Sequence, residues 1–275
     1  MPLVADILIT ERRGPVVDVT IDHPPSNLVD RPFVVALGDL LDLTEPDESV
    51  KVLVFHSADP DFFLMHGDVE AILQMPTGAH VPPAEPNAAA ALFERLSRGR
   101  LVSIGVVDGA ARGGGCEFLT AMDIRLGSPR TVIGQPEVAL GIIPGAGGTA
   151  RWPRLVGRGR SLELLLTGRD LGAEEARAIG WLNAVVPSEQ LPGRALELAR
   201  RIGAMPADSL AAVKRVVDVS LSGLQPALLA ESDELGRLIA AGGHQEPMRR
   251  FLAAGGQTRA AETTSMEEVL RATTG

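Results

Sequence analysis

Tyrosine is absent from this chain, and aromatic residues together make up only 3 per cent of it. Proteins that read nucleic acid by stacking bases on aromatic rings need more than that. Positive charge is also short. The 26 Lys and Arg stand against 35 Asp and Glu, for a net charge of −9. A phosphate backbone calls for the opposite balance, so no nucleic-acid partner is expected. No apolar run approaches the length of a membrane span, and no membrane partner is expected either. The opening MPLVADILITERR carries acidic residues and lacks an apolar core ending in small residues, so no signal peptide is read. The single cysteine, Cys116, cannot form an intrachain disulfide, which fits a reducing cytoplasm.

What the chain does have is apolar material. Hydrophobic residues are 45 per cent of its 275, ample for a folded core. Residues 3–10 and 15–21 read as a hairpin turning at Arg13-Gly14, with Val17, Val19 and Ile21 on one parity. Asp30 and Pro32 open a helix whose Phe33, Leu37, Leu40 and Leu41 share a face. VLVF (52–55) and LVSIGVV (101–107) have the continuous apolar character of strands covered on both faces. The Pro- and Ala-rich stretch 77–91 reads as a loop running into a helix, and IRL (124–126) and TVI (131–133) as two further short strands. Beyond about residue 145 the strands are expected to stop. Helices are expected at 158–167, 173–180, 189–203, 206–221, 224–240 and 246–253, with Leu210, Val213 and Val217 forming one stripe. The fold class is α/β, a β/α region giving way to a helical one. The division is placed at 1–200 and 201–275, the second part ending in a polar tail.

Three glycine-bearing stretches invite chemistry. In GGGCEFLTAMD (113–123), three glycines enter a helix whose interior they would weaken, which implies a close approach to the backbone. HGD (66–68) also precedes what looks like a helical first turn. Two strand-to-helix turns of this kind present unpaired backbone N–H groups at the positive end of a helix dipole. If they converge, they form a pair of donors for a developing oxyanion. GAGGTA (145–150) fits G-x-G-x-x-A, but Pro144 precedes it and no strand leads in, so the dinucleotide reading is set aside. Glu117 and Glu137 stand in apolar surroundings of the kind that perturb a carboxyl pKa and suit acid–base work. The plainer alternatives are a helix-capping Glu117 and a solvent-exposed loop Glu137.

The block from Gly113 to Gly157, GGGCEFLTAMDIRLGSPRTVIGQPEVALGIIPGAGGTARWPRLVG, resembles the central signature of the crotonase superfamily, the enoyl-CoA hydratase and isomerase group. NLVD (27–30) stands where that family often has N-A-L-N, FLMHGD (63–68) where it has F-x-x-G-x-D, and LELLLTGRDLGAEEARAIGWLNAVVP (162–187) is similar to its helical segment. The resemblance covers roughly residues 5–255. It implies repeated ββα units in two roughly perpendicular sheets, followed by a helical C-terminal oligomerisation region. It further implies an acyl-CoA substrate, no cofactor beyond the coenzyme A of that substrate, no metal, and a homotrimer or dimer of trimers. Carried over by position, Gly67 and Gly114 become the oxyanion-hole donors and Glu117 and Glu137 the acid–base pair. His66, Asp68, Val69 and Gly113 become substrate-binding neighbours.

Four departures stand out: His66 replaces a glycine, Val29 and Asp30 replace the end of N-A-L-N, Glu70 stands where many hydratases carry Lys, and the C-terminal Phe-x-x-Lys-Arg pattern is missing. The resemblance therefore implies hydration of a 2-enoyl-CoA first, since both glutamates are present. Isomerisation, other enolate chemistry including C–C cleavage, and a non-catalytic acyl-CoA-binding role follow behind it.

Overall fold

The computed structural model describes residues 7–74, 84–221 and 245–254. The chain divides into two compact units, Met1–Arg200 and Arg201–Gly275. The first unit opens with the expected hairpin, β1 (Leu8–Arg13) antiparallel to β2 (Val16–Ile21), with Gly14 at φ +65° in the turn. Helix α1 (Arg31–Thr44) follows, capped by the Asp30 carboxylate, which accepts from the Phe33 N–H. Its Phe33, Ala36, Leu37, Leu40 and Leu41 are buried, which is the stripe expected from the sequence.

From here the chain repeats one move: a strand in a large sheet, a short strand in a small sheet, then helix. Strand β3 (Val52–Ser57) is followed by β4 (Phe62–Leu64) and helices α2 (Val69–Leu73) and α3 (Ala88–Arg98). Strand β5 (Val102–Val107) is followed by β6 (Ala110–Arg112) and α4 (Gly114–Thr120). Strand β7 (Ile124–Gly127) is followed by β8 (Val132–Gly134), a 3-10 turn at Glu137–Leu140, and α5 (Gly148–Val156). The large sheet runs β1-β2-β3-β5-β7 and the small one β4-β6-β8. Every pairing between successive repeats is parallel. All of β5 is buried, as a doubly covered strand must be.

Two expectations are corrected. Strands do not stop near residue 145: β9 (Leu171–Gly172) extends the small sheet antiparallel to β8, and β10 (Ala184–Val185) extends the large sheet parallel to β7. A two-residue strand displays no period, so its sequence carries no signal. The segment before 158 is also helical, because α5 occupies 148–156 despite its leading glycines and the internal Pro153.

Helices α6 (Arg158–Thr167), α7 (Ala173–Ala178) and α8 (Leu191–Gly203) lie where expected. In the second unit the described helices are α9 (Ala207–Ser220) and α10 (Gln245–Ala253). Val213 and Val217 of the predicted α9 stripe are exposed. The helix expected at 224–240 lies outside the described residues.

Candidate active site

The site grows from the start of α4. Gly113 sits at φ +52°, ψ −125°, a backbone state L side chains rarely adopt, and its N–H donates to the Gly134 carbonyl at 2.9 Å. Gly115 answers why glycines are needed here. A Cβ on it would lie 1.9 Å from the Leu64 carbonyl oxygen, and its N–H donates to Met65 O at 2.8 Å. The close approach is therefore made by the protein's own β4 chain. A Cβ on Gly114 would in turn lie 3.3 Å from the Gly67 nitrogen and 3.0 Å from Val29 Cβ. The two turns singled out in the sequence thus converge. Among the described residues, neither the Gly67 nor the Gly114 N–H donates a hydrogen bond.

Asn27 locks this arrangement in place. It is buried, with φ +52°, a left-handed conformation that Asn tolerates better than most residues. Its carbonyl accepts from Met65 N at 2.7 Å, its side-chain oxygen accepts from His23 N, and its amide donates to Ser57 Oγ and Phe63 O. Two residues on, Val29 N–H donates to His66 O at 3.1 Å. The NLVD segment therefore stitches down the chain that carries Gly67.

Glu117 follows one turn into α4, only 4 per cent exposed. Its neighbour Phe118 plugs the core, in edge contact with Phe33 and Phe55. Glu117 Oε1 accepts from Ala146 N at 2.7 Å and Gly148 N at 2.8 Å. The GAGG loop that mimicked a dinucleotide motif is thus a clamp for a carboxylate of the protein itself, at the N-terminus of α5. Burial raises the Glu117 pKa, while those two N–H groups and then Arg151 act against the rise. Arg151 is held by the Glu94 carboxylate at 2.6 Å.

Glu137 opens the 3-10 turn and is 8 per cent exposed, so it is not a solvated loop residue, and it lies close enough to Glu117 to feel its charge. Burial pushes its pKa up to about 7. Its own N–H opposes this, and the Glu117 charge adds to it. Its Oε1 lies 2.9 Å from where a Gly113 Cβ would be, directly beside the glycine turn. Gln135, also buried, ends its side-chain amide 3.0 Å from each oxygen of this carboxylate, and the nitrogen is assigned to that side because a carboxylate only accepts. Cys116 directly precedes Glu117; fully buried, its thiol is pushed well up by burial and then by Glu137 and Glu117. It is therefore a neutral packing group and not a nucleophile.

The remaining predicted positions are peripheral to the acids. The His66 ring donates from Nδ1 to the Gly67 carbonyl at 2.9 Å, and its Cβ fills the space above Gly113. The Asp68 carboxylate caps α2 by accepting from Ala71 N, and Val69 begins that helix partly exposed. Glu70 is exposed in the first turn of α2. Among the described residues, no cluster of three or more His, Cys, Asp or Glu could hold a metal ion. Sequence reasoning missed Gln135, Arg151 and the N–H groups of Ala146 and Gly148. Only the first left a trace, as the polar residue two before Glu137 in an otherwise apolar run.

The sequence profile described as enoyl-CoA hydratase/isomerase matches residues 11–256. The chain belongs to that family. Solved crotonase-fold structures agree. An enoyl-CoA hydratase from Bacillus anthracis superposes with a TM-score of 0.82 at 25% identity, over 90% of this chain and 96% of that one. Enoyl-CoA hydratase subunit I from Geobacillus kaustophilus gives 0.81 at 28% identity, over 92% and 96%. DspI from Pseudomonas aeruginosa gives 0.77 at 29% identity, over 91% and 94%. The crotonase-superfamily fold assigned from the sequence is therefore the observed one. In this chain the Gly67 and Gly114 turns lie side by side, with buried Glu117 on the same helix as Gly114 and buried Glu137 brought in from the next repeat.

Proposed function

We propose that this enzyme adds water to a 2-enoyl-CoA thioester, giving a 3-hydroxyacyl-CoA. The observation that carries this reading is the meeting of two unpaired N–H groups, Gly67 and Gly114, with two buried carboxyl groups that share one environment. The thioester carbonyl would accept from both N–H groups, which draws electron density out of the double bond and makes C3 electrophilic. A water between Glu117 and Glu137 gives a proton to the one that is ionised as its oxygen bonds to C3. The C2 carbanion, held as an enolate in the oxyanion hole, takes a proton from the other. The pair ends with its proton exchanged and no net change in charge. Because the two acids interact, their apparent pKa values belong to the pair.

Coenzyme A enters as part of the substrate, and no separate cofactor is required by this chemistry. No described helix is long and apolar enough to cross a membrane. We take the enzyme to work in the cytoplasm as a homotrimer or dimer of trimers, with residues 201–275 as the oligomerisation region. The exposed Val213 and Val217 of α9 support that reading. Sedimentation showing a monomer at micromolar concentration would overturn it. The hydratase reading is tested with purified protein and a panel of 2-enoyl- and 3-enoyl-CoA thioesters. Loss of the conjugated-thioester absorbance is expected from the 2-enoyl compounds. Formation of that absorbance from 3-enoyl compounds, with no water added, would instead make the enzyme an isomerase.

A further inference from the structure

Glu117 and Glu137 share a buried site but are secured differently, and the difference exposes a residue the mechanism has not used. Peptide N–H groups clamp Glu117. Glu137 has no such clamp from a neighbouring loop among the described residues. Its carboxylate oxygens instead lie 3.0 Å each from the end of the Gln135 side-chain amide, whose nitrogen is assigned to that side because a carboxylate only accepts. Pro136 separates the two residues and has a φ of −83°. The proline ring stiffens the link, so a change in the Gln135 rotamer is not easily absorbed by the backbone between them. Gln135 is itself only 3 per cent exposed, so its amide has to find its partners within the protein. A buried primary amide that shares one N–H between both oxygens of a carboxylate does two things. It fixes the plane of the carboxylate, and it favours the ionised form over the protonated one.

We propose that Gln135 is a positioning residue that aims the Glu137 carboxyl at the water site by donating to it. The proposal rests on the assignment of Glu137 to the acid–base pair. Without Gln135, burial and the charge of Glu117 would act on Glu137 with nothing from a side chain to oppose them. Glu137 would then bind its proton more tightly, and the plane of its carboxyl would no longer be fixed.

The test uses two variants of the full-length protein. Gln135→Met keeps length and volume but removes the donor. Gln135→Glu keeps shape and polarity but replaces the donating amide with a second acid. Both are first checked by circular dichroism and sedimentation against wild type. Infrared difference spectra across a pH titration then follow the protonated carboxyl band, assigned to Glu137 by its loss in Glu137→Gln. In both variants the Glu137 midpoint is expected to rise by about one to two pH units, the size of a hydrogen bond to a charged group. The limb of the hydration pH–rate profile that reports Glu137 should move up with it. At pH 7, kcat should fall about 10- to 100-fold with KM little changed. A folded Gln135→Met and Gln135→Glu that both leave the midpoint in place would overturn the proposal. So would a loss of rate that is equal at every pH, since that is what a merely structural role would give. If no 2-enoyl-CoA is turned over by wild type, the hydratase reading fails, yet the infrared midpoint still decides the role of Gln135.

Discussion

Two neighbouring parts of one site solve the same problem in different ways. At the α4 start, Glu117 is buried by a helix anchored through Phe118 and is restrained by backbone N–H groups of the next repeat. At the 3-10 turn, Glu137 is restrained by a side chain and by its own short helix. Peptide groups cannot be mutated away, so the first arrangement depends on the fold alone. The second depends on which residue stands at 135. One acid is therefore set by topology and the other is open to tuning. This fits their pKa behaviour. Both are raised by burial, but only Glu117 has two loop N–H groups acting against the rise.

The largest effect should come from removing either acid. Glu117→Gln and Glu137→Gln should each lower kcat by at least about 10²-fold, the usual size of general acid–base catalysis, with the fold intact. Near wild-type hydration by either variant would end the two-acid mechanism. Next comes the glycine turn that both acids rely on. Gly115→Ala places a Cβ 1.9 Å from the Leu64 oxygen, which must move. Overpacking of this kind costs about 1–3 kcal/mol or more, and denaturant unfolding should show it as a lower midpoint at an unchanged slope. Asn27→Ala acts on the same geometry from the other side, stranding the groups that Asn27 pairs. It should cost about 1–3 kcal/mol and lower activity as Gly67 drifts.

A subtler difference between the acids should appear in stability against pH. The folded-state pKa of Glu137 stands near 7 against an ordinary 4.5. Across that window the folded chain binds a proton more tightly than the unfolded one, so Glu137 makes the protein less stable as pH rises through it. Glu137→Gln should therefore raise Tm at pH 8 and leave it unchanged at pH 4. A Tm gain of equal size at both values would show that the charge is not the cause. The smallest effect is expected at His66. Its ring already bonds the Gly67 carbonyl, and two carboxyl groups supply the proton chemistry. His66→Ala should change turnover by less than about tenfold, roughly 1.4 kcal/mol of barrier. A loss as deep as that of Glu117→Gln would make His66 a participant and point away from simple hydration.

Much of the fold was legible in sequence because its longer elements display their period. The α1 stripe from Phe33 to Leu41 and the apolar run of β5 came through with nearly correct ends. Of the small sheet only β8 came through, as the strand expected at 131–133. The other strands, β4, β6 and β9, are two or three residues long, too short to alternate visibly. Helix α5 was hidden by the glycines at its start and by Pro153 within it. At the site, the glycine triplet and the two glutamates were readable because those residue types are costly where they stand. The dinucleotide-like GAGG was rightly set aside, though its real work of holding Glu117 was not visible.

By itself the sequence determined which residues could do chemistry here: glycines able to admit another backbone, and carboxyl groups set among apolar neighbours. It also carried the family, through the block from Gly113 to Gly157. Only the tertiary structure decided that the turns at Gly67 and Gly114 meet, that Glu117 is held from the loop at 146–148, and that Gln135 faces Glu137. The reason is physical. Every residue but proline carries the same N–H, so a backbone donor has no letter of its own, and its direction exists only once the strands have paired.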